Sequence, residues 1–280
     1  MVVGVVVCVE EGMSKMVKIQ AEGAKILAPY PLVHGVTTRH GGVSEAPFDS
    51  LNLGLHAGDQ EESVLVNREY LAQNIGVSGI DWVCANQVHG LKAVRVTAAD
   101  KGKGALDTIT AIKNCDALYT DDKEVPLLIS VADCMPILLY DPVHHAIAAV
   151  HAGWKGVKGD LPVHVLEAMK NDFNTDPREV IVYMGPHIGP HSFEVGEDLA
   201  EQFYKQFGGD VIRYTPKTLG AEPTPHVYLA ACVMQSLLKA GVQETNMEVS
   251  TTDTYRDKDC FSYRRDGGIT GRMALFAMLK

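Results

Sequence analysis

Paired cysteines are missing from this chain. Its six cysteines stand at positions 8, 84, 115, 134, 232 and 260, with no CxxC among them. Spread so widely, they do not read as a disulfide framework, and isolated thiols suit a reducing compartment, the cytoplasm. Long apolar runs are also missing. Met1 to Val9 is interrupted by Gly4 and followed by Glu10 and Glu11. It is far short of the ~20 residues of a membrane span and lacks a basic flank. It reads as a β-strand, or as extra residues from a start upstream of Met13 or Met16. Positive charge is scarce: 25 Lys and Arg face 35 Asp and Glu, a formal net charge of −10. Such a field repels a phosphate backbone on average, which disfavours nucleic-acid binding but permits a local pocket for a small anion. There is no low-complexity linker and no repeat. With 46% hydrophobic residues in 280, the chain can bury a sizeable core.

Strand-like and helix-like segments alternate. The patterns predict strands at Val33–Thr38, Trp82–Val88, Ala117–Thr120, Val125–Val131, Val180–Met184 and Met247–Thr251. Val125–Val131 is almost continuously apolar, as for a strand buried on both faces. Pro136–Tyr140 and Ala146–Val150 flank an Asp-Pro turn and predict a hairpin. Helices are expected at Ser63–Ile75, Leu161–Phe173, Glu197–Phe207 and Tyr228–Ala240. Asp160 stands as a cap, Pro162 lies in a first turn, and Gly76, Gly208 and Gly241 serve as stops. Met273–Leu279 fits either state. The fold class is α/β or α+β, and the hairpin argues against a purely parallel sheet.

Three segments place His or Cys where an apolar run ends: Asn86-Gln87-Val88-His89-Gly90, Ala132-Asp133-Cys134-Met135-Pro136 and Val150-His151-Ala152-Gly153-Trp154. One thiolate and two imidazoles suit Zn²⁺, and three protein ligands leave a fourth position open, as in catalytic sites. The glycines after His89 and His151 leave room beside such a metal. The same residues also allow a nucleophilic Cys134 with His151 as base and Asp133 orienting a histidine. Taken singly, each reads more simply as a packed thiol or a hydrogen-bonded histidine, and no local spacing rule connects the three. Arginines beside glycine turns are a second signal: Arg39, the pair Arg264 and Arg265, and Arg272. Their planar forks suit phosphate or carboxylate, although Arg264 and Arg265 read more simply as surface residues of a hairpin. Ser50 to His56 alternates in polarity, which would put Asn52 and His56 on one strand face. His144 and His145 fall on a turn tip and read as solvent-exposed. His187 and His191 lie in a Gly/Pro loop that could border the site.

The segments TTRHGGVS (37–44), SLNLGLHAGD (50–59), NQVHG (86–90), ADCMP (132–136), HAGWKG (151–156), MGPHIGPHSFEVG (184–196) and FSYRRDGGITGR (261–272) occur in this order. Together they resemble the multicopper polyphenol oxidase, or laccase-domain, family of YfiH/YlmD-like proteins, from about Val33 to the C-terminus. The resemblance implies one layered catalytic unit over residues 31–280, with mixed sheets flanked by helices and residues 1–30 as an extension or edge strand. It implies one zinc held by His89, Cys134 and His151. It also implies phosphorolysis of adenosine, inosine, guanosine and methylthioadenosine, and deamination of adenosine. The expected partners are a nucleoside and phosphate, in a monomer or homodimer. Lys155 stands where Arg is common in the family, and residues 157–161 depart from its usual small-residue run.

The family's older label is copper-dependent polyphenol oxidase. The chain has 11 His and no His-X-His, which is poor material for a multicopper cluster, so zinc is expected over copper. Deamination needs a water made nucleophilic near neutral pH, which a metal with an open position supplies. Phosphorolysis needs a held phosphate, and Arg39 with Asn52 are the expected substrate contacts, with His56 or Asp133 as further ones. The alternatives are a Cys134/His151 hydrolase or amidase, a copper oxidase, and a metal-storage or redox-interaction protein.

Overall fold

The computed structural model describes residues 17–216 and 222–280. Cys8 and the expected strand within Met1–Val9 lie outside the described residues. From Val17 the order is β1 (Ala21–Glu22), β2 (Leu32–Thr37), α1 (Glu61–Ile75), β3 (Val83–Cys84), β4 (Ala93–Arg95), β5 (Ala117–Thr120), β6 (Leu127–Val131), β7 (Met135–Asp141) and β8 (Ala146–Ala152). Then follow α2 (Trp154–Lys158), α3 (Leu161–Phe173), β9 (Ile181–Met184), α4 (Glu197–Phe207), β10 (Ile212–Pro216), β11 (Pro223–Val227), α5 (Leu229–Lys239), β12 (Met247–Val249) and β13 (Met273–Leu279).

Two mixed sheets result, ordered β1-β2-β13-β6-β3 and β12-β9-β7-β8-β5-β4, with β10 and β11 as a separate hairpin. The strand sequences explain why the sheets stack. β13 is apolar throughout and β6 is apolar except for Ser130, and successive side chains point to opposite faces. Leu127, Ile129 and Val131 of β6, with Met273 and Leu275 of β13, share one core with Leu138 and Tyr140 of β7 and Ile147 and Ala149 of β8. That core fills the space between the sheets. The alternate residues Ile137, Leu139, Ala148 and Val150 pack against α3 and α5 through Val165, Met169 and Val233. On the far side, Leu128, Ala274 and Phe276 meet Leu71 of α1, Trp82, Leu51 and Leu53. The layers therefore run helix, sheet, sheet, helices.

Four helices and most strands lie close to their expected places, and Gly76 caps α1 in the left-handed region at φ 80°. Met273–Leu279 resolves to a strand between β2 and β6. Three expectations fail. Trp82–Val88 contributes only Val83–Cys84 to the sheet, because the chain then turns away towards β4. Ser50–His56 is extended but joins no sheet, and Leu51, Asn52, Leu53 and Gly54 are all buried, so no polar face exists. Asp160 precedes α3 but does not cap it with its side chain; its carboxylate instead accepts the Ser236 hydroxyl. Residues 21–22 form a short strand, β1, antiparallel to β2.

Candidate metal centre and pocket

The site forms where the chain passes between the two sheets. The first crossing leads from β3 to β4 and carries His89. The second leads from β6 to β7 and carries Cys134. His151 sits in β8, directly opposite Pro136 of β7. The hairpin register therefore sets Cys134, one residue before β7, beside the end of β8. One ligand atom from each of His89, Cys134 and His151 lies within 4.8 Å of the others. Cys134 Sγ is 3.8 Å from His89 Nε2, and the two imidazoles meet edge to face at 4.7 Å between centroids.

Gly153 completes this arrangement. A Cβ there would lie 2.9 Å from His89 Cδ2 and 3.0 Å from Cys134 Sγ, so a side chain would crowd two of the three donors. A cradle of two imidazoles and one thiolate suits a borderline-soft ion such as zinc, or copper, and not the hard ions that take oxygen ligands. Among the described residues this is the one group of three such donors.

Asp116, at the head of β5, is fully buried beneath the site. Its Oδ1 accepts the Nδ1–H of His151 at 2.8 Å and the backbone N–H of His89 at 2.9 Å. Its Oδ2 accepts the N–H groups of Val88 and Gly90 at 3.2 and 2.7 Å. Burial works against its charge, but the His151 hydrogen bond and the backbone donors outweigh it and hold the carboxyl below its ordinary range. Burial also opposes ionisation of Cys134. The charge and hydrogen bond of His151, with those of His89, outweigh it and bring the thiol down to about 6. His151 responds in the opposite sense: burial disfavours its charge, while Cys134 and Asp116 bring it up to about 9. Both shifts favour a thiolate–imidazolium pair when no metal is bound.

Around the triad is a cavity of about 710 Å³. Trp154, Phe193, Val195, Leu199 and Leu229 give it apolar walls, and His56, Tyr263, Arg264 and Arg272 bring polar groups to it. The profile of the multi-copper polyphenol oxidoreductase laccase family matches residues 33–280. The chain belongs to this family. Among its laccase-family relatives, purine nucleoside phosphorylase YlmD of Geobacillus stearothermophilus is 37% identical over 248 residues, covering 87% of this chain and 89% of the relative. Purine nucleoside phosphorylase YlmD of Bacillus subtilis is 33% identical over 256 residues, covering 89% of each. The crystal structure of the Geobacillus stearothermophilus protein superposes with a TM-score of 0.86 at 34% identity, covering 94% of this chain and 96% of that one.

The expected substrate residues of this laccase-family chain divide. His56 lines the cavity. Though its side chain is exposed, the packing around it and then the charges of Arg272, Arg68, His151 and His89 favour its neutral form, lowering its pKa to about 4. Arg39 does not line the cavity. It binds Asp49 through the backbone oxygen at 2.7 Å and the carboxylate at 3.1 Å, and stacks on Phe261. Asn52 is fully buried; it accepts from the N–H groups of Gly54 and Arg272 and donates to Asp59. It thereby ties the 50–59 segment to β13.

Asp133 borders the cavity, but its carboxylate accepts from Thr254 at 2.6 Å, Ser262 at 3.0 Å and the Arg264 N–H at 2.7 Å. It orients no histidine; Asp116 does that. Arg265 is turned inward onto the carbonyls of Thr254, Asp257 and Cys260, contrary to a surface reading. Arg264 is exposed yet reaches the cavity, as does Arg272. His187 is buried against the Gly185 carbonyl, His191 is exposed, and neither lines the cavity. His144 is exposed on the β7–β8 turn and binds Asp141, while half-buried His145 contacts Tyr140. Cys84, Cys115, Cys232 and Cys260 are buried thiols without a disulfide partner. Sequence reasoning missed Asp116 altogether. The signal was there: an acidic residue immediately before the buried strand Ala117–Thr120 must find several donors if it is buried too.

Proposed function

We propose that this protein is a zinc-dependent purine nucleoside phosphorylase that also deaminates adenosine. The carrying observation is that one thiol and two imidazoles converge within 4.8 Å in a cavity with apolar walls and two guanidinium groups. The names of the YlmD relatives support the substrate class. His89, Cys134 and His151 would hold the ion, which in such sites supplies Lewis acidity and a water of lowered pKa.

The remaining steps belong to the protein's own residues. Trp154, Phe193, Leu199 and Leu229 offer apolar surface to a purine and keep water from its faces. Arg272 and Arg264, rather than Arg39, hold the phosphate as it attacks C1′ of the ribose and the purine departs carrying a proton. Arg264 is positioned by the Glu194 carbonyl and the Phe193 ring, and Arg272 by the carbonyls of Thr270 and Gly271. Neutral His56 can hydrogen-bond a ribose hydroxyl without competing for phosphate.

One experiment separates the readings. Nucleosides are incubated with zinc-loaded and chelated protein, with and without phosphate, and products are followed by mass spectrometry. Phosphate-dependent release of base with ribose 1-phosphate supports phosphorolysis. Phosphate-independent inosine from adenosine supports deamination. Turnover that survives complete chelation would replace the metal mechanism with a nucleophilic Cys134, which the thiolate–imidazolium pair favours. No turnover under any condition would refute the enzyme reading.

A further inference from the structure

The geometry points to Asp116 as the positioning residue of the metal centre: one buried carboxylate that fixes two of the three ligands, from two different chain segments, in a single arrangement. The inference rests on the metal reading above.

Three observations carry it. First, Asp116 accepts the Nδ1–H of His151, which leaves Nε2 to face Cys134 and His89. A histidine ligand is oriented by what its other nitrogen binds. Second, the same carboxylate accepts three consecutive N–H groups, from Val88, His89 and Gly90. His89 is in the left-handed region at φ 57°, a conformation costly for a residue with a side chain unless its surroundings hold it. Asp116 holds it. Third, Asp116 is itself immobilised. Its N–H donates to the Lys92 carbonyl, and its own carbonyl accepts the N–H of His151 at 2.7 Å. The side chain and backbone of one residue thus grip His151 twice and the His89 turn three times. With Cys134 as thiolate, the buried Asp116 charge would also balance a divalent ion.

Asp116→Asn preserves shape and keeps one acceptor oxygen, while removing the charge and half of the accepting capacity. Zinc affinity is measured by competition with a chromophoric chelator, and the cobalt-substituted protein is read by its visible ligand-field spectrum. The expected result is a 10- to 100-fold loss of affinity, about the range for losing an outer partner of a metal ligand, with an altered cobalt spectrum. In ¹⁵N-histidine spectra of metal-free wild type, a slowly exchanging, far-downfield Nδ1 proton on His151 is expected, and its loss in Asp116→Asn. Thermal unfolding of both metal-free proteins shows whether the variant folds. If it does not, the wild-type proton spectrum decides alone. Equal zinc affinity and an unchanged cobalt spectrum in a folded variant would overturn the inference, as would a wild-type His151 whose Nδ1 carries no hydrogen-bonded proton. If wild type binds no zinc, the metal reading fails, while the proton spectrum still judges the grip of Asp116 on His151.

Discussion

At Gly153 the absence of a side chain decides what the neighbouring groups can do. Gly153→Ala pushes a methyl group against His89 and Cys134. Overpacking of this kind costs about 1–3 kcal/mol, which the chain can lose and still fold. The expected variant is therefore folded but metal-poor, as metal analysis with circular dichroism would reveal; full zinc occupancy would contradict it. Cys134→Ala removes a donor outright, and should weaken zinc by more than the roughly 10- to 100-fold that follows loss of an outer partner. The arginines separate by where they point. Arg272→Gln forfeits a charge-assisted hydrogen bond to phosphate, about 1.5–3 kcal/mol, so KM for phosphate should rise by roughly 10- to 100-fold. Arg39→Gln should leave that KM unchanged and lower the unfolding temperature instead, because Arg39 serves the Asp49 loop. The opposite pattern in steady-state kinetics would restore Arg39 as the phosphate residue.

Elements that pack on a regular face were legible in the sequence. α3, α4 and the β7–β8 hairpin announce themselves by period and by turn residues, because each buries one face or both against a neighbour. Cys134 and His151 were legible for the same reason, each lying at or near the end of an apolar run that forms a strand, whereas only Val83–Cys84 of the run before His89 joins a sheet. Elements defined by a distant partner were not. Ser50–His56 alternates like a strand, but the Asn67 and Asn52 side chains satisfy its backbone groups where a neighbouring strand would. Asp133 and Asp116 look alike in sequence, each beside a cysteine. Only the fold shows that one turns to the 254–264 loop and the other to His151. The hairpin should be energetically separable from the donors it carries. Ile137 is fully buried on the helix-facing side of β7, so Ile137→Ala should cost about 2–5 kcal/mol. Denaturant unfolding should show a lower midpoint while zinc stoichiometry holds; loss of zinc at full folding would mean the register had moved.

For the whole molecule, buried histidines and the coupled Cys134–His151 pair predict how stability follows pH. His34, His56 and His187 are all lowered, chiefly by removal from water, and His56 to about 4. Unfolding lets each regain protons below its ordinary value of about 6.5. The unfolded chain therefore binds more protons in that window, and stability must fall as pH drops from about 6.5 towards 4. At the metal-free centre, lowered Cys134 alone would make stability rise with pH, and raised His151 alone would make it fall. Between about 6.5 and 9 their contributions oppose and largely cancel. Unfolding temperature of metal-free protein should accordingly be nearly flat across that range and decline on the acid side; a steep slope near pH 8 would mean the pair is not formed. The placement of the centre has one last consequence. Its ligands come from two crossings between the sheets and from a strand of one sheet, so a bound ion would join the sheets as a cross-link without length. It would close loops that the unfolded chain leaves open. Unfolding temperature should therefore climb with the logarithm of free zinc. Stripping the ion should speed amide exchange at the ends of β6, β7 and β8, beside the crossings that carry its ligands.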